Sequence, residues 1–565
     1  MPANKPIHIC TNSGAPESLI FEALGPQRLT EFVAVKTPGK LTWFNYELAR
    51  SMGLDIPSSK SGYPKFHRQI IDMLSVRALR SGEALGDREP ILLYADKYGG
   101  DDLGRCLGAG RAGFLPFRNL YLKGVGHTPL FRHDDPNDFD HSHGGVSMVE
   151  GMLEAVFGEV NTNLFTKGSA RILAIIDHDD YTIYPDGKKE PRAIVVRAGA
   201  QLRPAHLFAR GVKGGYSKLE VFTRITRLTG QLRMRAGGGP DKPVPDLRLT
   251  MLRVIDDHAL TAAEQFRWRI MHGAMSMSNM EMSGAMLDST TESAQPRTAP
   301  MRVLTQHTQP YLGFAQEHLE RARQLKIMFR SVVKSLSCEQ CELLNTGPID
   351  FTAEMNKSYG KHLQIQMLKA AGLKISIAQN IQGDFPHVAQ HFQQILNEMA
   401  TLINRGSVDA NKPPVEHISV LDIFNLLQEY PRIYFTKIAR SPEAEILTLL
   451  RPEFRGNRFQ RAKQKAKVIV MIREFARVYS ELMMACQRVA AEQYGGFETM
   501  RDSIISRAAY ENRPLTSLYR GNLLKEFKRV VALYKASGQS RIISLAISRI
   551  VSASHRNLDT DSLSD

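Results

Sequence analysis

The sequence predicts an α+β protein of two lobes, a mixed β lobe followed by a mainly helical lobe with a helical C-terminal extension. Two patterns carry this reading. From about residue 90 to 200, short apolar and β-branched runs recur at strand spacing, interrupted by one helical segment. Beyond residue 258 the periodicity turns almost wholly helical. The chain has 565 residues, enough for a substantial core and more than one domain. Its 43% apolar and 23% charged content is ordinary for a globular protein.

The elements follow in order. Residues 1–90 form an N-terminal extension. The β lobe, 91–215, contains strand-like Ile91–Tyr94, Asn119–Lys123, Arg171–Ile176 and Ala193–Arg197. Its helix runs from Ser147 to Glu159, with Val149, Met152, Leu153 and Val156 on one face. The helical lobe, 216–450, contains Thr261-Ala-Ala-Glu264, which reads as a capping box opening a helix through Phe266 and Ile270. Long helical patterns follow at about 315–345, 352–372, 386–404 and 458–494, with breaks at Gly237–Pro240 and Ala410–Pro414. A basic helical region spans 451–551, and the polar tail 552–565 is expected to be disordered. There is no internal repeat.

Several function classes are disfavoured. No apolar run approaches the roughly 18 residues a membrane helix needs, and the N-terminus lacks a signal-peptide pattern, so a cytoplasmic protein with no membrane partner is expected. The five cysteines are scattered apart from Cys338-Glu-Gln-Cys341, which reads as two buried thiols on a helix. The net charge of +15 concentrates late, at Arg451, Arg455, Arg458, Arg461, Lys463, Lys465, Lys467, Arg473 and Arg477. Such a stripe suits nucleic acid or an acidic partner, but without interleaved aromatic residues a solvated helix face is the simpler reading, and nucleic acid is not the expected partner. The cluster His133 to His143 reads as a polar loop, and Asp177–Asp180 as an acidic hairpin turn.

Gly108-Ala-Gly110-Arg-Ala-Gly113 matches GxGxxG, which alone is weak. A dinucleotide fold needs a helix opening at those glycines; here a proline and strand-like alternation follow instead. A glycine-rich hairpin followed by a strand lysine, Lys123, is the protein-kinase arrangement for phosphates. In a strand Leu120 and Leu122 share one face while Lys123 lies on the other with Tyr121. Glu150 is either the carboxylate that orients Lys123 or, through Ser147-Met-Val-Glu150, a cap for its own helix.

Three motifs, Tyr94–Gly100, Leu107-Gly-Ala-Gly-Arg111 and Leu122-Lys-Gly-Val-Gly-His-Thr-Pro129, together resemble the ordered motifs of the selenoprotein O family. Phe44–Asp55 looks like that family's N-terminal helix; Met271–Met280 and Leu287-Asp288 lie where the family has its catalytic and metal-binding segments. The resemblance covers roughly residues 30 to 290, as islands. It implies a kinase-like fold that transfers AMP from ATP to protein hydroxyls, with ATP reversed in the cleft. It implies Gly108, Gly110 and Arg111 as the nucleotide loop, Lys123 and Glu150 as the ion pair, and Arg197 and Arg203 as holders of the inverted phosphates. Planar guanidinium forks suit phosphate oxygens.

Asn279 and Asp288 lie nine apart, as in the family's metal pair, and their hard oxygens suit Mg²⁺ or Mn²⁺ bound together with triphosphate. One departure matters: the family's catalytic aspartate is replaced by Ser278, which cannot accept a proton as a carboxylate does. Glu281 and His272 are the nearby candidates to substitute. The family's C-terminal cysteine motif is also absent, since no cysteine follows Cys486. The expected partners are therefore ATP and a protein substrate, with a non-catalytic ATP-binding scaffold as the alternative.

Overall fold

The computed structural model describes residues 18–99, 107–115, 119–131, 143–236, 243–295, 302–304, 310–311, 317–401, 407–409, 421–436, 442–450, 457–490 and 493–555. The chain is α+β. An antiparallel eight-stranded sheet is built from β1 (Leu29–Lys36), β2 (Lys40–Phe44), β3 (Val76–Ala78), β4 (Pro90–Asp96), β5 (Ala112–Leu115), β6 (Leu120–Lys123), β7 (Ile172–Ile183) and β8 (Lys189–Ala198). Their order is β2-β7-β8-β6-β5-β4-β1-β3. Residues 1–90 therefore contribute three strands to the same sheet as the β lobe, through β1 on β4 and β2 on β7.

Strand alternation sorts the sheet's side chains into two cores. On one face Leu120, Leu122, Ile176, Ile194 and Val196 pack with Phe66, Ile70 and Leu74 of the helix Tyr63–Leu74. On the other, Ile172, Ile175 and Val195 pack beneath the helix Met148–Leu164 and the last two helices, Arg520–Ser537 and Arg541–His555. Gly151 permits the close approach of Met148–Leu164, because a Cβ there would lie 2.9 Å from Val195 Cγ2.

The remainder is mainly helical, with a few short strand pairs, and holds two further cores. One joins the helices Lys218–Leu228, Leu247–Trp268 and Glu317–Val333 to the central strands of the sheet through Phe114 and Tyr121. The other gathers Phe351–Ala370, Pro386–Thr401, Ile423–Thr436 and Arg458–Ala490 around Phe392, Phe475 and Tyr479. Among the described residues no helix is long and apolar enough to cross a membrane.

Three local expectations are corrected. The helix proposed to open at Thr261 starts fourteen residues earlier, where Asp246 caps Leu249 N–H. Inside that helix the Thr261 hydroxyl donates to the Asp257 and Gly284 carbonyls, so it bonds backward along the helix and across to a loop. Asp177–Asp180 is not a turn but lies within β7, at a register shift; the turn comes at Tyr184–Lys188. Cys338 and Cys341 are not buried: Cys338 is exposed and Cys341 partly so.

The basic stripe divides. Arg473 pairs with Glu443, and Arg477 with Glu474 and Glu481, whereas Arg458, Arg461, Lys463, Lys465 and Lys467 stand in solvent on a projecting helix end. Arg451, Arg455, Gly100, Cys10, Cys106, the breaks at 237–240 and 410–414, most of the 133–143 cluster and the tail from 556 lie outside the described residues.

Candidate functional site

Lys123 ends β6, and the pairing of Tyr121 with Arg197 and of Lys123 with Val195 places Lys123 and Arg197 on one face of the sheet. That face is covered by Met148–Leu164, whose second turn brings Glu154 over both cations. Lys123 Nζ lies 2.7 Å from Glu154 Oε1, and Arg197 grips the same carboxylate with two hydrogen bonds of 2.6 and 2.7 Å. From 165 residues along the chain, Asp288 Oδ1 reaches Lys123 at 2.7 Å and Arg197 at 3.2 Å. Two cations and two anions thus close a quartet. Lys123, Glu154 and Arg197 are each less than 5% exposed, while the Asp288 side chain is 26% exposed and forms the open side.

The electrostatics follow. Burial alone would raise the Glu154 carboxyl, but Arg197 and Lys123 outweigh it and hold it below the usual range. Asp288 behaves likewise: burial raises, yet Lys123, Arg197 and Arg111 hold it well below an ordinary carboxyl. Arg197 is raised, its burial overcome by Glu154 and Asp288. Asp288 also sits at φ 58°, a left-handed conformation uncommon outside glycine and costly for a residue with a Cβ.

The ion pair expected between Lys123 and Glu150 is corrected to Lys123–Glu154. Glu150 accepts the Ser147 N–H at 2.8 Å while the Ser147 hydroxyl accepts the Glu150 N–H, a complete capping box. Its remaining contact is with Arg111, at 3.6 Å. Glu154, one turn further, was missed. Its signal was present: an acid inside the apolar run Gly151–Val160 must be buried there and so needs a cation.

The glycine segment adjoins the quartet. Gly108 and Gly110 lie between β4 and β5, and Gly108 takes φ 145° against the Asp96 carbonyl, a close approach that excludes a side chain. Gly110 O accepts the Thr128 N–H at 3.1 Å, and Arg111 donates to Gly145 O at 2.9 Å. Gly113 is not in the loop but in β5.

Arg203 does not join the quartet. It is buried, donating to Ser278 O at 2.5 Å and to Gln201 Oε1 at 2.9 Å, so it clamps the backbone of the Ser278 segment. Ser278 Oγ lies 2.8 Å from Ser276 Oγ. Asn279 donates to Ala274 O, and its own carbonyl accepts Leu287 N–H at 3.1 Å, which sets its backbone beside the residue preceding Asp288. Asn279 and Asp288 therefore flank one short hairpin, closed by the bridge between Met280 and Met286.

Neither substitute base is poised. His272 is fully buried, and burial lowers it to about 4. Its Nε2–H donates to Leu287 O while Nδ1 accepts Ala274 N–H. Glu281 is raised by burial and accepts from Ser283 and from Leu202 N–H. Both are occupied in holding the hairpin.

Asp288, held ionised and partly open, and the half-buried Asn279 carry hard oxygen donors of the kind a divalent cation takes, with Asp288 Oδ1 already bonded to Lys123 and Arg197. Among the described residues no group of three or more His, Cys, Asp or Glu side chains is placed to hold a metal unaided. The chain matches no protein-family model and no curated protein.

Proposed function

We propose that the chain binds ATP with Mg²⁺ or Mn²⁺ and transfers AMP to hydroxyl side chains of a protein. The observation that carries the reading is the meeting at one ammonium of three elements. A strand lysine follows a glycine-bearing hairpin, a glutamate comes from the next helix, and an aspartate comes from a distant loop. Kinase-type phosphoryl transfer uses these parts: lysine on phosphate, glutamate orienting it, aspartate on the metal. A two-lobed kinase-like fold belongs to the same proposal. The preference for AMP over phosphate rests on the family resemblance of the ordered motifs.

In this reading Lys123 and Arg197 turn toward triphosphate oxygens, and Glu154 keeps both aligned. A cation held by Asp288 and Asn279 would neutralise phosphate charge. The acceptor hydroxyl attacks the α-phosphorus, the bond from that phosphorus to the bridging oxygen breaks, and pyrophosphate leaves. Ser278 offers no carboxylate for the hydroxyl proton, so positioning and charge stabilisation are left to carry the step.

A second reading is favoured by two specific features. The quartet is already charge-balanced without a ligand, and Ser278 stands at the base position; both suit an ATP-binding scaffold that transfers nothing. ATP labelled at the α- or the γ-phosphate separates the readings. Protein labelling from α alone supports AMP transfer. Labelling from γ alone replaces it with phosphorylation, and binding without labelling leaves the scaffold.

A further inference from the structure

A separate pocket of about 400 Å³ lies between the 3₁₀ helix Pro204–Phe208, the start of the helix Lys218–Leu228 and the end of Glu317–Val333. That volume is in the range of small-molecule sites. Its lining combines three cations, Lys218, Arg330 and Lys334, the hydroxyls of Ser331 and Ser335, and an apolar wall of Phe208 and Ile327; among the described residues no carboxylate lines it.

The charges are placed against the fold's own preferences. Lys218 is the first residue of its helix, where the macrodipole disfavours a cation. Its ammonium is held by a neutral hydroxyl, Ser331 Oγ at 2.5 Å, rather than by an acid. It lies 5.7 Å from the centre of the Phe208 ring, and burial together with the charge of Arg28 lowers its basicity. Glu220, in the same first turn, is spent on capping Ser217. On the facing helix Lys326, Arg330 and Lys334 recur at i, i+4 spacing, where like charges repel by roughly 0.2–0.5 kcal/mol per pair. The macrodipole favours cations in the last turn of that helix, which accounts for Arg330 and Lys334 but for neither Lys218 nor Lys326. An anion seated among Lys218, Arg330 and Lys334 would relieve the conflict at Lys218 and the repulsion between Arg330 and Lys334 at once.

We infer that this pocket is a second ligand site, for a small organic phosphate whose phosphoryl group meets Lys218, Arg330 and Lys334 and whose apolar body lies on Phe208 and Ile327. Lysine and arginine donors with serine hydroxyls are the usual company of a phosphoryl group, and the ring and Ile327 give a reason to prefer an ester over the free ion.

Phenyl phosphate and inorganic phosphate, titrated calorimetrically into the full chain, test this. Saturable one-to-one binding of phenyl phosphate is expected, at about 1 mM or tighter and tighter than inorganic phosphate. Arg330→Glu with Lys334→Glu should weaken it by about tenfold or more, the scale of losing charge-assisted bonds. Phe208→Ala should erase the preference for the ester. Lys123→Ala should leave phenyl phosphate binding unchanged, which separates this site from the proposed ATP site. Arg330 and Lys334 are exposed, so the double variant is expected to keep its fold, checked by circular dichroism. Equal affinity in wild type and double variant, or no saturable binding, would overturn the inference.

Discussion

Four residues decide the candidate site, and they are not interchangeable. Glu154→Gln leaves two buried cations with one carboxylate, which typically costs about 3–5 kcal/mol. Glu150→Gln keeps a capping acceptor and should cost less than about 1 kcal/mol. Urea unfolding of the two variants side by side is expected to show that contrast; equal losses would return Glu150 to the pair. Lys123→Ala should abolish ATP binding in calorimetry while the chain stays folded, because Arg197 still spans Glu154 with two bonds. Unchanged ATP affinity would remove the basis of the proposed function. At the base position, Ser278→Asp should raise AMP transfer by about tenfold or more, given the usual general-base contribution of roughly 10²–10⁴. Intact-mass measurement of self-modification reads this directly, and silence from both wild type and variant would leave the scaffold reading.

Among the elements, strands were the more legible, since Ile91–Tyr94 and Ala193–Arg197 fall within β4 and β8, and Asn119–Lys123 and Arg171–Ile176 overlap β6 and β7 from one residue before each strand. Each is a short apolar run with the strand period in its own residues, so local pattern suffices even though its partners, as in β2 with β7, lie far along the chain. What local pattern missed was set by tertiary contact. Thr261-Ala-Ala-Glu264 has the residues of a cap, yet its Thr261 side chain bonds a carbonyl 23 residues away, and Glu264 accepts from Thr166. Asp177 looks like turn material but is buried, accepting Tyr534 and Lys535 from the far end of the chain. Lys123's place at the end of a strand was readable from the alternation around it; its partner was not, because helix phase alone does not say which carboxylate the cap takes. The short segment after Asp288 carries a further consequence. Glu292 is fully buried beside Asn161, and burial, reinforced by Glu317, raises it from 4.5 to about 8. The folded state then binds a proton that the unfolded state has released, so this group makes stability fall as pH rises from about 4.5 to about 8. Glu292→Gln should flatten that part of the curve; thermal midpoints measured from pH 5 to 8 would show it, and parallel curves for the two proteins would refute it.

At the scale of the whole molecule, the first strands and the last described helices meet on one sheet. Strands β1–β3 complete the sheet from the N-terminal side, and the last two helices roof it from the C-terminal side. Arg520 joins that roof to the site: its N–H donates to Ser293 Oγ at 3.1 Å and its Nε to Thr290 O at 3.0 Å, just beyond Asp288. Arg520→Ala should therefore weaken metal-dependent ATP binding while leaving the quartet's residues untouched, a loss calorimetry with and without Mg²⁺ would register; identical affinities would sever the connection. The Ser544 hydroxyl donates to the carbonyl of Thr42 at 2.9 Å, across 502 positions of sequence. A ribosome adding about 5–20 residues per second needs roughly 25–100 s to span that interval. Until the last two helices have been made, the part of the apolar face of β2, β7 and β8 that they share with Met148–Leu164 lies uncovered, and a nascent chain cannot complete this core before then.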